Sequence, residues 1–194
     1  LEQFFTPIDI PTGVDGVQMH NGRLDIHPMN VSEEVLNTFD KSLRLHIQSV
    51  QEAGQVLGVQ KEQLIDHDLS KWSNEEFHAY AQHFHGGGCP NEFAIAWLHH
   101  IHYNEHHWQH WIFPDGYSPK DSNVENGVIE MPEHFALEMI ADWMGASYAY
   151  TQSWDMTDWL VKNIPRIRLH SKTQEYVYHI LGGQGYFNMG RFLS

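Results

Sequence analysis

The apolar residues between Val31 and Gly58 follow the spacing of one long α-helix. Residues on the inward face recur at steps of three, four or seven: Val35, Phe39, His46, Val50, Ala53 and Leu57. Such spacing places side chains on one face of a helix. Ser32 or Asn30 can cap the start, and Gly58 can end the helix. A helix of this length with one apolar face, which includes a histidine, requires other helices to cover it.

Shorter helical segments, separated by glycine or proline, follow this helix. The pattern predicts helices over 61–66, from 73 to the glycines at 86–88, over 92–103, 106–113, 132–150, 156–163 and 172–181. Ser73 and Glu76 are spaced as a capping box, and Pro132 suits a first helical turn. The stretch 117–130 is polar and predicts a loop. Without internal repeats or heptads, the predicted fold class is all-α, an irregular helical bundle.

The chain of 194 residues predicts one domain with short extensions. Prolines and glycines break the first thirty residues, and Asn21-Gly22 suits a two-residue hairpin turn. We therefore expect an arm with a small hairpin at 1–30, a helical domain at 31–182 and a tail at 183–194.

The charge of the chain restricts its partners. There are 11 Lys and Arg residues and 25 Asp and Glu residues, a net charge of −14. Such a surface repels phosphate backbones, which argues against nucleic acid or an anionic membrane as a partner. No apolar run is long enough to span a bilayer, and no secretory signal is visible. Because Cys89 is the only cysteine, we expect a cytoplasmic protein. The expected partners are a small-molecule substrate and, as a further possibility, other copies of the chain in a homo-oligomer.

Sixteen histidines are the unusual feature of the composition, and six of them fall within residues 99–110. Imidazole and carboxylate groups together are ligands for Zn²⁺, Mn²⁺ or Fe²⁺. His46 faces inward on the first helix, His67 and Asp68 follow the second, and Asp142 lies on a late helix, one turn after Glu138. The alternatives are a neutral core histidine, a local helix cap and a solvated helix face. Composition alone predicts about one His-Asp pair by chance.

Helical geometry divides the histidines of 99–110. On one continuous helix His100 and His107 lie near the face of the tryptophans, so we favour these two as ligands, with His106 next. His102 and His110 are expected to face solvent, and a break at Asn104 would rotate the second half. The other histidines, at 78, 83, 85, 134, 170 and 179, are predicted on the surface. The tryptophans are predicted as packing mass, because stacking sites for bases normally accompany a basic groove.

Two resemblances extend this interpretation. A histidine, then an adjacent His-Asp pair, then further histidines and a late Asp resembles the ligand order of HD-domain metal-dependent phosphohydrolases, which implies an HD-like bundle. Four segments resemble those of a bacterial and phage family of unknown function: HDLSKWSNEEF (67–77), AWLHHIHYNEHHWQHW (96–111), MPEHFALEMIADWMGAS (131–147) and SWDMTDWLVKN (153–163). This second resemblance covers about 38–181 and implies a shared fold and site without an established activity.

The function that these residues predict is hydrolysis by metal-activated water. One divalent ion (Zn, Mn, Fe or Mg) is expected on His46, His67, Asp68 and Asp142, and a second on His100, His107 and the further candidate His106, with Asp68 as a bridge. Lys71, with Arg44 next, would neutralise a substrate oxyanion, and a nearby acid such as Glu138 would steer a proton. The expected substrate is a small phosphorylated metabolite or nucleotide. An iron-dependent oxygenase and a non-enzymatic, metal-stabilised assembly protein are the alternatives.

Overall fold

The structure is a computed structural model that describes residues 29–114 and 123–186. Residues 1–28 of the predicted arm, with its hairpin, and residues 187–194 of the predicted tail lie outside the described residues. The helical fold belongs to the unit that begins at Val31.

Seven α-helices form most of the described chain. They are α1 (Glu33–Leu57), α2 (Lys61–Asp66), α3 (Phe77–His85), α4 (Pro90–Tyr103), α5 (Glu133–Thr151), α6 (Thr157–Asn163) and α7 (Ser171–Gly183). Three single 3-10 turns lie at Leu69–Trp72, Trp108–Trp111 and Ile164–Arg166, and a two-stranded antiparallel hairpin joins β1 (Val124–Glu125) to β2 (Val128–Ile129). The all-α prediction is confirmed. None of the helices in the described ranges is long and apolar enough to cross a bilayer.

Helix α1 has the predicted ends and the predicted buried face. The Ser32 hydroxyl accepts a hydrogen bond from the Val35 amide at 3.4 Å, and Gly58 ends the helix with a left-handed φ of 86°. Glycine adopts this conformation without steric cost. His46 is buried on the same face as Phe39 and Val50, so the apolar stripe carries a polar ring into the interior.

The core lies between α1 and α5, which make the most extensive helix contact, and α7 packs on α5. Fully buried side chains from all three helices meet here: Val50, Met139, Ile140, Val177 and Leu181. The two long helices approach closely at Gly145, where an added Cβ would lie 2.5 Å from the Val50 amide nitrogen. Helix α3 packs on α1 and α4 packs on α3, so α1, α4 and α5 surround the turn after α2.

Three local predictions were wrong. The capping box predicted for Ser73 and Glu76 does not form, because α3 begins only at Phe77, and Glu76 at its N-cap makes no side-chain capping hydrogen bond. Helix α4 ends at Tyr103 as predicted and the chain breaks at Asn104, but the helix expected over 106–113 is only a single 3-10 turn at Trp108–Trp111. The expected loop before α5 contains the β1–β2 hairpin, whose turn residues Asn126 and Gly127 both have positive φ.

The close approach of α1 and α5 predicts a strong steric effect at Gly145. Gly145→Ala forces the Val50 backbone to move, and such overpacking costs about 1–3 kcal/mol. Gly182→Ala on α7 is the matched control, because a Cβ added there would have no neighbouring atom within 4 Å. Thermal unfolding followed by circular dichroism should show a lower melting temperature for Gly145→Ala alone. Equal melting temperatures for the two variants would contradict the proposed helix packing.

Candidate metal centre

The turn after α2 carries a fully buried carboxylate group, that of Asp68. Helix α2 ends at Asp66, and Asp68 then adopts a left-handed backbone conformation, with φ 59°. This conformation is uncommon for residues other than glycine, although aspartate and asparagine tolerate it best. The side chains of His67 and Asp68 are both fully buried. The unusual turn therefore directs an adjacent imidazole and carboxylate into the interior.

Four of the predicted ligands form a first donor set around one oxygen of Asp68. His46 Nε2 lies 3.0 Å from Asp68 Oδ2 and 3.2 Å from Asp142 Oδ1. His67 Nε2 lies 3.5 Å and 3.6 Å from the same two oxygens. One ligand atom from each of the four residues lies within 4.8 Å of all the others. Residues 46, 67, 68 and 142, which are distant along the chain, are thus close enough to contact a common cation.

The other oxygen of Asp68 faces a second donor set. Asp68 Oδ1 lies 3.2 Å from His100 Nε2 and 3.5 Å from His106 Nε2, while His107 Nε2 lies 2.8 Å from His100 Nε2. These four residues also bring one ligand atom each within 4.8 Å of the rest. The chain reverses after Asn104, which returns His106 and His107 to the ring of His100. The three favoured histidines come together although they do not share a helix.

Several nitrogen and oxygen atoms of both sets are buried and lack a hydrogen-bond partner. Such atoms are what a bound metal ion would satisfy. His67 Nε2, Asp68 Oδ1 and His106 Nε2 have no partner with hydrogen-bond geometry among the described residues. A buried polar atom without a partner costs about 1–3 kcal/mol. Imidazole nitrogens and carboxylate oxygens converging in this way are a ligand set for a first-row divalent metal. The residues present therefore fit such an ion.

Glu138 contacts two of these imidazoles at Nδ1, on the side of each ring that faces away from Asp68. The Nδ1 atoms of His67 and His106 donate to Glu138 Oε1 at 2.9 and 3.2 Å, and Gln63 donates to Oε2 at 3.0 Å. Burial alone would raise the pKa of Glu138, but the hydrogen bonds from the two rings lower it to about 2. With Nδ1 used in this way, Nε2 of each ring is directed toward Asp68. Glu138 contacts the rear of the ligands and acts as a positioning residue.

Glu76 plays the corresponding role for the second set, which sequence reasoning missed. His99 Nδ1 and His100 Nδ1 donate to its two oxygens at 2.7 and 2.8 Å, and the side chain is fully buried. Despite burial, these hydrogen bonds hold the pKa of Glu76 below its usual value. Its position three residues after Ser73 suggests a helix cap. One sequence feature argues against a helix cap. Glu76 lies one helical turn before the aromatic Tyr80, which is on the buried face of α3.

Two basic side chains that were predicted to contact a substrate are paired with aspartates. Lys71 Nζ donates to Asp68 Oδ2, and Asp68 and Asp142 raise the pKa of Lys71 against the effect of burial. Arg44 Nε donates to Asp40 at 2.8 Å. Lys71 therefore neutralises the central carboxylate, and its predicted contact with a substrate oxygen stays a prediction.

The remaining histidines mostly lie away from the two sets. His102 is exposed, as predicted, whereas His110 is half-buried and its ring lies 3.2 Å from the Ile101 carbonyl. The surface prediction for His170 was wrong. This residue is fully buried before α7, where its Nδ1 accepts a hydrogen bond from the Lys172 amide at 3.3 Å.

A cavity of about 490 Å³ opens beside the centre. His107 from the second donor set and Asp142 from the first are part of its wall. Both donor sets are thus adjacent to a space that can admit a small molecule.

The carboxylates around His67 predict an unusual titration in chelator-treated protein. Burial alone would lower the pKa of His67, but Asp68, Asp142 and Glu138 outweigh it and raise the pKa to about 10. The stability that this charge contributes is complete below the unfolded-state pKa of 6.5 and is lost as the pH rises through 10. Long-range ¹H–¹⁵N NMR of the histidine rings should show His67 doubly protonated at pH 7.

Glu138→Gln supplies the control for this titration. Loss of the Glu138 charge should lower the pKa of His67 while Asp68 and Asp142 remain. A pKa of His67 near 6.5 in metal-free wild-type protein would show that the carboxylates are not arranged as described.

Comparison with known proteins identifies the family of the chain. Residues 36–183 match the model of a family of unknown function, DUF5662, and this range contains both donor sets. No curated protein and no solved structure matches. Because the match covers well over half of the sequence, the chain belongs to the DUF5662 family.

Proposed function

We propose that this protein is a metal-dependent hydrolase that acts on a small phosphate ester. The observation that carries the proposal is the shared Asp68 carboxylate, which presents one oxygen to each of two buried donor sets. A carboxylate between two ligand sets suits a pair of divalent ions. The order of the ligands along the chain, and its likeness to HD-domain phosphohydrolases, supports phosphate ester hydrolysis over other hydrolytic reactions.

Two ions, Zn²⁺, Mn²⁺, Fe²⁺ or Mg²⁺, are assigned to the two donor sets. The first set is His46, His67, Asp68 and Asp142, and the second is Asp68, His100, His106 and His107. Ions held there would lower the pKa of water toward neutrality and so supply a nucleophile for attack on phosphorus.

The chain's own residues fix the geometry of this reaction. Glu138 and Glu76 keep Nδ1 of three ligand histidines protonated, so Nε2 of His67, His106 and His100 stays directed at the centre. Such outer carboxylates typically contribute 10–100-fold to metal affinity or activity. In this proposal Lys71 keeps Asp68 ionised and adds positive charge where a phosphate oxygen would bind.

The negative net charge of the chain favours a substrate that carries little negative charge. The chain carries a net charge of −14, and Lys71 at the centre is already paired with Asp68. A triphosphate would meet few cations apart from the ions themselves. A phosphate monoester fits this balance better.

The adjacent cavity favours turnover over a purely structural ion. Each donor set offers four protein ligands, so turnover would require the ion to accept a further ligand from the cavity, as zinc can when it becomes five-coordinate. Asp142 and His107 belong both to the donor sets and to the cavity wall. A substrate in the cavity would therefore contact the ligands directly.

Asp68→Asn is the variant that tests this function. Asparagine also tolerates the left-handed backbone of Asp68, so the fold should persist while the bridging charge is lost. Elemental analysis of protein purified without an affinity tag should find two ions per wild-type chain and none in Asp68→Asn. Hydrolysis of phosphate monoesters by metal-loaded protein should fall by several orders of magnitude.

Asp66→Asn is the matched control, because Asp66 is exposed and lies two residues before Asp68. It should retain both metal and activity. Full metal loading of Asp68→Asn would contradict the proposal. Bound iron with O₂-dependent absorption changes and no hydrolysis would instead indicate an oxygenase, and loss of folding on chelation without turnover would indicate a structural metal.

A further inference from the structure

Tryptophans surround the cavity beside the metal centre. Four of the seven tryptophans, together with one tyrosine, contribute to its wall: Trp97, Trp108, Trp143, Trp159 and Tyr150. The volume of about 490 Å³ lies within the range of about 300–1,000 Å³ that is typical of small-molecule sites. The wall therefore carries five aromatic side chains and is large enough for a ring with a sugar-sized substituent.

These aromatic residues are not all packing mass, contrary to the sequence-based prediction. Trp143 belongs to the hydrophobic core, but Trp159 is 40% exposed and Tyr150 is 75% exposed. The rings of Trp143 and Trp159 lie 5.4 Å apart and are tilted by 46°. Exposed aromatic surface around a concavity is typical of a ligand site. The core thus supports one side of the wall, while Trp159 and Tyr150 leave aromatic surface exposed.

An amide group adds a polar contact to the wall. Gln109 lines the cavity, and its Oε1 is buried with no hydrogen-bond partner among the described residues. A buried acceptor without a donor is costly, and a rotation of the Gln109 side chain toward the cavity would let an N–H group of a ligand satisfy it. The cavity therefore favours a ring that carries an N–H donor over a plain hydrocarbon ring.

The wall carries one acidic side chain, the candidate metal ligand Asp142, and one basic side chain, Arg166. Arg166 is exposed in the wall and makes no ion pair or hydrogen bond with the residues of 29–114 or 123–186. An aromatic cage for a quaternary ammonium group would be disfavoured by this guanidinium. A single arginine suits one phosphate group, which agrees with the low-charge substrate proposed above.

We propose that the cavity binds a flat nitrogen heterocycle attached to a single phosphate ester, as in a nucleoside monophosphate. This inference rests on the proposed hydrolase function. The heterocycle stacks on the tryptophan wall, a ring amino group donates to Gln109 Oε1, and the phosphate lies between Arg166 and the ions proposed on His107 and Asp142.

The test separates binding of the ring from hydrolysis by using the full chain after chelator treatment. Titrations followed by ligand-observed NMR use adenosine, adenosine monophosphate, ribose 5-phosphate and tetramethylammonium as probes. We expect both adenosine compounds to bind and the other two not to bind. Trp159→Ala should weaken adenosine binding about tenfold or more, the usual effect of removing a stacking ring.

Two controls address folding and specificity. Tyr103→Ala removes an aromatic ring that is 67% exposed outside this cavity and should leave binding unchanged. Gln109→Leu should remove the preference for adenosine over purine riboside, which lacks the amino group. This second variant keeps the proposal testable even if Trp159→Ala does not fold.

The outcomes distinguish this inference from the proposed function. Binding of adenosine that depends on Trp159, without hydrolysis of any phosphate ester by metal-loaded protein, supports the cavity and overturns the hydrolase. Hydrolysis of ribose 5-phosphate as fast as adenosine monophosphate supports the hydrolase and overturns the cavity. Binding of tetramethylammonium in place of adenosine also overturns the inference.

Discussion

The site depends on the charges and hydrogen bonds that compensate the fully buried carboxylate of Asp68. An isolated buried carboxylate costs several kcal/mol unless opposite charges and hydrogen bonds compensate it. Here His46 and Lys71 approach one oxygen, and His100 and His106 approach the other. Because these four side chains come from α1, α4 and two separate turns, the requirement to surround one carboxylate fixes how those segments pack. The left-handed backbone at Asp68 is a local strain that this packing maintains.

Two layers of carboxylates, an inner one of Asp68 and Asp142 and an outer one of Glu76 and Glu138, have different roles in this arrangement. Asp68 and Asp142 face the Nε2 side of the histidines, where a cation fits. Glu76 and Glu138 accept hydrogen bonds from the Nδ1 side and determine how the rings are oriented. The inner layer attracts cations and the outer layer aligns the ligands, so loss of either layer would disturb the centre in a different way.

The sequence allows the main framework to be predicted because periodicity reports burial. The helical repeat of α1 places His46 inside, and the late helix places Asp142 and Glu138 one turn apart. The meeting of these residues depends on tertiary packing, for which the ligand order was the only indication. The orienting role of Glu76 was not predictable, since its local spacing matches a helix cap equally well.

Other features were missed because short-range signals were overruled or overlooked. A break at Asn104 was expected, but the return of His106 and His107 to His100 depends on the path of the chain after the break, which local patterns do not give. The Asn126-Gly127 pair does signal a hairpin turn, although the polar residues around it suggest a loop. The aromatic cavity assembles tryptophans from α4, α5, α6 and the turn after α4, and composition gives no information on such an arrangement.

Crystallography of the full chain soaked in Mn²⁺, with anomalous data collected at the manganese absorption edge, tests the central claim most directly. Two anomalous peaks about 3.5–4 Å apart are expected, one against each oxygen of Asp68. Manganese only at surface histidines, or no peak within bonding distance of Asp68, would contradict that claim.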